Sequence, residues 1–208
     1  MVNGVRTGGK AGSKATLYQP AALLNLEVYH NELKNMQRIK EAGWHLLANN
    51  IFSDVIKNSV ALFMIELLQR SLKQPEENTE LFDFVSHSLE QLESSSPKVA
   101  ANFPLYFSVN LQYFFGIAFH RNHQLNNFFD LQEGSFVPDE PSHKYFLGGN
   151  AASYTAELLK VMQPHELEQL HLNSTLRNAM LDGYVTYYKL HIQDFGEMRT
   201  LPVLRQIL

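Results

Sequence analysis

In the N-terminal part of the chain, apolar residues fall two positions apart. Leu24, Leu26 and Val28 alternate with Leu23, Asn25, Glu27 and Tyr29, which predicts a strand with one apolar side over about 23–29. A second extended piece is expected at Met36-Gln37-Arg38-Ile39-Lys40-Glu41. Strict alternation puts Met36, Arg38 and Lys40 on one of its faces and Gln37, Ile39 and Glu41 on the other. Residues 7–16, rich in Gly, Ser and Lys, offer nothing to pack and read as a flexible basic loop.

From Phe52 the period lengthens. Val55, Val60, Leu62, Phe63, Ile65, Leu67, Leu68 and Leu72 recur three and four apart, as in a largely buried helix that Pro75 ends. A second helix is expected after Asn78 or Thr79, with Leu81, Phe82, Phe84, Val85, Leu89 and Leu92 as its stripe, stopping at Ser94-Ser95-Ser96-Pro97. A third, at about 98–119, carries Phe103, Leu105, Phe107, Leu111, Phe114 and Phe115. Pro104 fits best in a first turn, so ordered helix is expected from near Phe103. Residues 120–150 read as an irregular excursion, broken by Gly134, Pro138, Pro141, Gly148 and Gly149, with a small hairpin over 128–136. Helices resume at about 151–162, 165–171, 174–192 and 200–207. The class is α+β, mostly α.

At 208 residues and 45% hydrophobic content, the chain can bury a sizeable core and reads as a soluble globular protein. The absence of cysteine excludes disulfides, thiolate zinc sites and cysteine nucleophiles, and it fits a reducing cytoplasm. The N-terminus has no apolar signal region, and no stretch approaches the roughly 18 apolar residues of a membrane span. Signatures of nucleotide hydrolysis, dinucleotide binding, zinc-dependent proteolysis and serine hydrolysis are missing. Glu76-Glu77 and Asp139-Glu140 have no base or nucleophile near them and read as solubilising charge. His120 and His123, spaced as His-x-x-His, and His143 read as solvated or hydrogen-bonding groups rather than metal ligands. The expectation is a protein without catalysis, cofactor or metal.

Charge changes the picture at one end. Residues 1–40 hold Arg6, Lys10, Lys14, Lys34, Arg38 and Lys40 against Glu27 and Glu32, a net +4, and the remainder carries −8. Such asymmetry points to an anionic partner, with nucleic acid first, although six cations also suit a solvated loop. Tyr18 and Tyr29 lie among these cations, where a ring can stack on a base or simply pack within the sheet.

Several segments in order resemble the bacterial recombination mediator family RecO. They run from Val2-Asn3-Gly4-Val5-Arg6, through Leu23 to His30, Met36 to Glu41, Asn58 to Phe63 with Glu66-Leu67-Leu68, Glu80 to Phe84 and Ala101-Asn102-Phe103. Phe129 to Gly134, Tyr187 to His191 and Phe195-Gly196 through Leu201 to Arg205 complete the series. The resemblance implies an oligonucleotide-binding barrel followed by a helical domain, here divided as 1–45 and 46–208. By the same resemblance the chain opens inside the barrel's third strand, leaving it incomplete. Many family members carry a four-cysteine zinc module in place of residues 120–150. This chain lacks the cysteines, and Phe128, Phe129, Phe136 and Tyr145 are expected to hold a metal-free version. The family's implied activity is to bind single- and double-stranded DNA, anneal strands and help load RecA at gaps in DNA repair. Its implied partners are the single-strand-binding protein, through its C-terminal tail, and RecR. That points to a bacterial, cytoplasmic, nucleoid-associated protein whose six named cations contact phosphates. The rival expectation is a helical protein-interaction module that does not bind DNA.

Overall fold

The structure, a computed structural model, describes residues 17–34, 36–74, 77–120 and 127–208. The chain divides into two compact units, Met1–Asn49 and Asn50–Leu208. In the first, β1 (Leu24–Tyr29) pairs antiparallel with β2 (Arg38–Trp44). Opposed pairs put Leu24, Leu26 and Val28 with Trp44, Ala42 and Ile39 on one face, and Asn25, Glu27 and Tyr29 with Gly43, Glu41 and Arg38 on the other. The alternation expected of β1 holds, but that of β2 does not. A bulge opposite Glu27/Val28 leaves Lys40 as the extra residue, so Ile39 and Glu41 fall on opposite faces although they are two apart.

A short α1 (Asn49–Ser53) precedes α2 (Val55–Ser71). The helical pattern from Phe52 is therefore interrupted, because Asp54 caps α2 by accepting the Lys57 N–H at 2.9 Å. Helix α3 (Thr79–Ser94) starts at the cap Asn78, whose side chain accepts from the Leu81 N–H. Phe82, expected in its buried stripe, is instead 62% exposed, as is Val55 of α2 at 69%. Helix α4 (Pro97–Leu111) corrects the expected start near Phe103. Ser96 caps it and Pro97 occupies its first turn, so Pro104 lies inside the helix, fully within the core. The 3-10 turn Gln112–Phe115 extends α4, and Gly116, at φ 68°, ends it before the expected residue 119.

The remaining helices are α5 (Asn150–Leu158), a 3-10 segment Pro164–Gln169 where a helix was expected, α6 (Ser174–His191) and α7 (Thr200–Ile207). Nearly every side chain of α4 is buried, and α2, α6 and the Pro164–Gln169 segment pack around it. Phe63, Phe103, Phe107, Tyr184 and Tyr188 are the largest fully buried groups. Their polar tips are answered: Tyr188 donates its hydroxyl to the Ser108 carbonyl at 2.8 Å, and the Tyr184 and Thr155 hydroxyls lie 2.9 Å apart. No helix among the described residues is long and apolar enough to cross a membrane.

Helix α7 is tied to α2 by one carboxylate. Glu66 accepts the Arg199 N–H (2.9 and 3.0 Å), the Thr200 N–H (2.8 Å), the Thr200 hydroxyl (2.7 Å) and Arg70 Nε (2.9 Å). It therefore serves as the cap of a helix that has no local one, with a negative charge at the helix's positive end. Burial alone would raise its pKa, but the bonds from Arg199, Thr200 and Arg70 outweigh that and hold it at about 2, against the usual 4.5. A depressed folded value means this stability is fully present above the usual value and is lost as pH falls through about 2. Glu66→Gln should cost roughly 1–3 kcal/mol near neutral pH. Denaturant titrations at pH 7 and pH 3 check this: the wild type should lose more stability on acidification than the variant, and equal losses would count against the tie.

Candidate nucleic-acid interface

Lys34, Arg38 and Lys40 fall on the hairpin; Arg6, Lys10 and Lys14 lie outside the described residues. The β1–β2 connection is built around Asn31. The Lys34 N–H donates to its carbonyl at 3.0 Å, closing a turn, and its side chain accepts the Leu33 N–H at 3.0 Å. Gln37 locks the loop from the far side. It accepts the Asn31 N–H at 2.8 Å and donates Nε2 to the carbonyls of Asn31 (3.0 Å) and Lys34 (2.8 Å). Nothing in the alternation pattern marks Gln37, whose side chain does the work of a backbone turn.

This loop presents Lys34 in the exposed turn and starts β2 at Arg38. Arg38 sits directly across the ladder from Tyr29, which is 57% exposed. A cation and a ring side by side on an open sheet face are the groups that could meet a phosphate and stack on a base. Neither Lys34 nor Arg38 has an acidic partner among the described residues, whereas Lys40 is paired with Glu27. That exposed pair is worth at most about 1 kcal/mol, yet it offsets the Lys40 charge. The three cations are therefore unequal, Lys40 being both the bulged residue and the paired one. Tyr18 is half-buried in the turns before β1. On the opposite face Leu26 and Val28 are 49% and 44% exposed.

The excursion is a three-stranded sheet: β3 (Phe128–Asp130) lies between β4 (Ser135–Val137) and β5 (Phe146–Gly148). The expected hairpin is present, and β5 is an addition whose three residues show no alternation to read. Phe129 contacts Phe136 and Phe119 edge-on at 4.8 and 4.5 Å, and Phe128 meets Phe146 at 5.5 Å. Tyr145, by contrast, has His143 and Lys144 as its ring neighbours. Phe119, Phe146 and Tyr187 are the holders that sequence reasoning missed.

Asp130 accepts the N–H groups of Gln132 (2.7 Å) and Glu133 (3.3 Å) and faces His143 Nε2 at 3.2 Å. His143 Nδ1 accepts the Tyr145 N–H at 3.3 Å, which requires the proton on Nε2. His120 is exposed and donates its backbone N–H to the Gly134 carbonyl, and His123 lies outside the described residues. Asp130 and His143 thus form a structural pair. A zinc module wants four donors, and no group of three or more suitable side chains occurs among the described residues, so these donors do not fit one.

A family model for the C-terminal part of recombination protein O matches residues 53–199. The chain belongs to the RecO family. It is 30% identical over 199 residues to the DNA repair protein RecO of Phocaeicola vulgatus, covering 95% of this chain and 82% of that one. It is 30% identical over 202 residues to its counterpart in Porphyromonas gingivalis (96% and 82%), and 28% identical over 195 residues to that of Azobacteroides pseudotrichonymphae (92% and 79%). The RecO match lies in the helical unit, and alignments of this length leave no room to omit the hairpin.

In this RecO-family chain, Gly134 is the turn residue on which the excursion depends. Its φ is 63°, and a Cβ there would lie 2.6 Å from the Tyr187 hydroxyl, which donates to the Ile117 carbonyl at 2.9 Å. Burial pushes that hydroxyl's pKa up to about 12. Gly134→Ala should destabilise the protein by about 1–3 kcal/mol, through backbone strain and the displaced ring together. Thermal unfolding measures the loss; an unchanged Tm would mean that the turn and Tyr187 relax freely.

Proposed function

We propose that this chain acts in DNA repair as a non-enzymatic recombination mediator that holds DNA on the β1–β2 hairpin. The observation that carries the reading is the exposed Tyr29–Arg38 pair beside the turn lysine Lys34, both cations lacking an acidic partner among the described residues while Lys40 is paired with Glu27. The hairpin is read as part of an oligonucleotide-binding barrel, and the exposed Leu26 and Val28 support a face that further strands would cover. Arg6, Lys10 and Lys14 join Lys34, Arg38 and, more weakly, Lys40 in contacting phosphates without sequence preference.

Family membership supports the finer steps. The protein binds single- and double-stranded DNA, anneals complementary strands and assists RecA onto gaps coated by single-strand-binding protein. The helical unit, net acidic, faces protein partners: the tail of the single-strand-binding protein and RecR. The site of action is the bacterial cytoplasm, at the nucleoid.

The test is fluorescence anisotropy of a labelled single-stranded oligonucleotide at several salt concentrations. Replacing Lys34 and Arg38 together with Ala should reduce the slope of log K against log[salt] by about 1.4, at roughly 0.7 per phosphate contact. Tyr29→Ala should weaken single-strand binding by about 1–3 kcal/mol and leave the slope unchanged. Lys40→Ala should matter less than Arg38→Ala. A slope indifferent to Lys34 and Arg38 would remove them from the interface and favour a helical interaction module.

A further inference from the structure

The hairpin face that carries Tyr29 and Arg38 also carries two carboxylates. Glu27 and Glu41 stand directly across the β1–β2 ladder from one another, both exposed, and the Tyr29–Arg38 pair follows on the same face toward the loop. Like charges set opposite one another in a ladder repel. The bulge supplies a partner for one of them: Lys40, the extra residue of β2, forms an ion pair with Glu27, while Glu41 has no cation beside it among the described residues.

The face is therefore divided along its length. Its loop end holds Lys34, Arg38 and the Tyr29 ring, and its other end holds one cation and two carboxylates, a net charge of −1. A polyanion laid on this surface is drawn to the loop end and repelled from the other. The Lys40 and Glu27 side chains are 42% and 55% exposed, so water screens their contact and a phosphate oxygen can take the place of the carboxylate one.

We propose, resting on the hairpin as the DNA surface, that Glu27 sets how tightly a strand is held by occupying Lys40 in competition with phosphate. A strand engages Arg38 and Lys34 first. Lys40 joins only where a phosphate displaces Glu27, which is then left unpaired opposite Glu41. That penalty keeps binding below what the cations alone would give, which suits a protein that must release the strands it holds.

The test is anisotropy of a labelled single-stranded oligonucleotide over a salt series, on the full chain carrying Glu27→Gln, Glu32→Gln, Lys40→Ala, or Glu27→Gln with Lys40→Ala. Glu27→Gln keeps the shape of an exposed side chain. Glu32→Gln makes the same change of net charge in the loop, where Glu32 has no cation beside it among the described residues. Glu27→Gln should tighten binding about threefold at low salt and steepen the slope of log K against log[salt] by about 0.7, the share of one added phosphate contact. Lys40→Ala should remove that gain in the Glu27→Gln background and change the slope much less in the wild type. Glu32→Gln should leave the slope as it is. The proposal is overturned if Glu27→Gln steepens the slope no more than Glu32→Gln does, or if Lys40→Ala changes it equally in both backgrounds. Replacing Lys34 and Arg38 with Ala separates two kinds of failure. A slope that falls with them but ignores Glu27→Gln sinks the role of Glu27 alone, and a slope that ignores all of these changes sinks the hairpin as the DNA surface as well.

Discussion

Arg177 is buried, and much of the helical unit is tied together by how its N–H groups are answered. Nε donates to Asn102 Oδ1 at 3.0 Å, and the two terminal nitrogens donate to the carbonyls of Leu208 (2.7 Å) and Leu172 (3.0 Å). Asn102 passes the connection on, donating Nδ2 to the carbonyls of Leu167 (3.2 Å) and Leu170 (3.3 Å). One guanidinium on α6 thereby fixes the central helix α4, the irregular segment over 167–172 and the residue after α7. Burial pulls its pKa down from the ordinary value, and the oxygen atoms of Asn102, Leu172 and Leu208 stand in for water around it. Each group left unanswered in such a site costs about 1–3 kcal/mol.

The hairpin follows a different logic. Its cross-strand pairs leave both faces accessible, and its loop is held by Gln37 and Asn31 rather than by burial. An open sheet face with free cations suits a ligand that supplies its own charge, and a polyanion strand meets that need. Glu27 tempers the surface by engaging Lys40, which concentrates the free positive charge toward Arg38 and Lys34.

Much of this was legible in the residues because the signals were local. The helix starts after Asn78 and Asn173 follow from capping residues and apolar spacing, and the ordered segments from Leu23 to Arg205 carried the RecO resemblance. Several of the misreadings were settled by groups outside the segment being read. The bulge at Lys40 depends on the partner strand, so alternation within β2 could not reveal it. Pro104 stays inside α4 because the Ser96-Pro97 start and full burial outweigh one missing hydrogen bond. Strand β5 exists because β3 offers it a ladder, and Phe82 is exposed although it lies among apolar neighbours along the chain. For the candidate site, the cations were visible as composition, but the inequality between Arg38 and Lys40 and the pairing of Tyr29 with Arg38 required the register.

On the proposed reading, DNA meets the hairpin and makes no contact with the helices over residues 55–207. Hydrogen exchange of the full chain, with and without a single-stranded oligonucleotide at low salt, tests this most directly. The account predicts new protection in the Leu24–Trp44 segment, with the helices over residues 55–207 unchanged. Protection confined to those helices, or none at all in a chain shown to be folded, would contradict it.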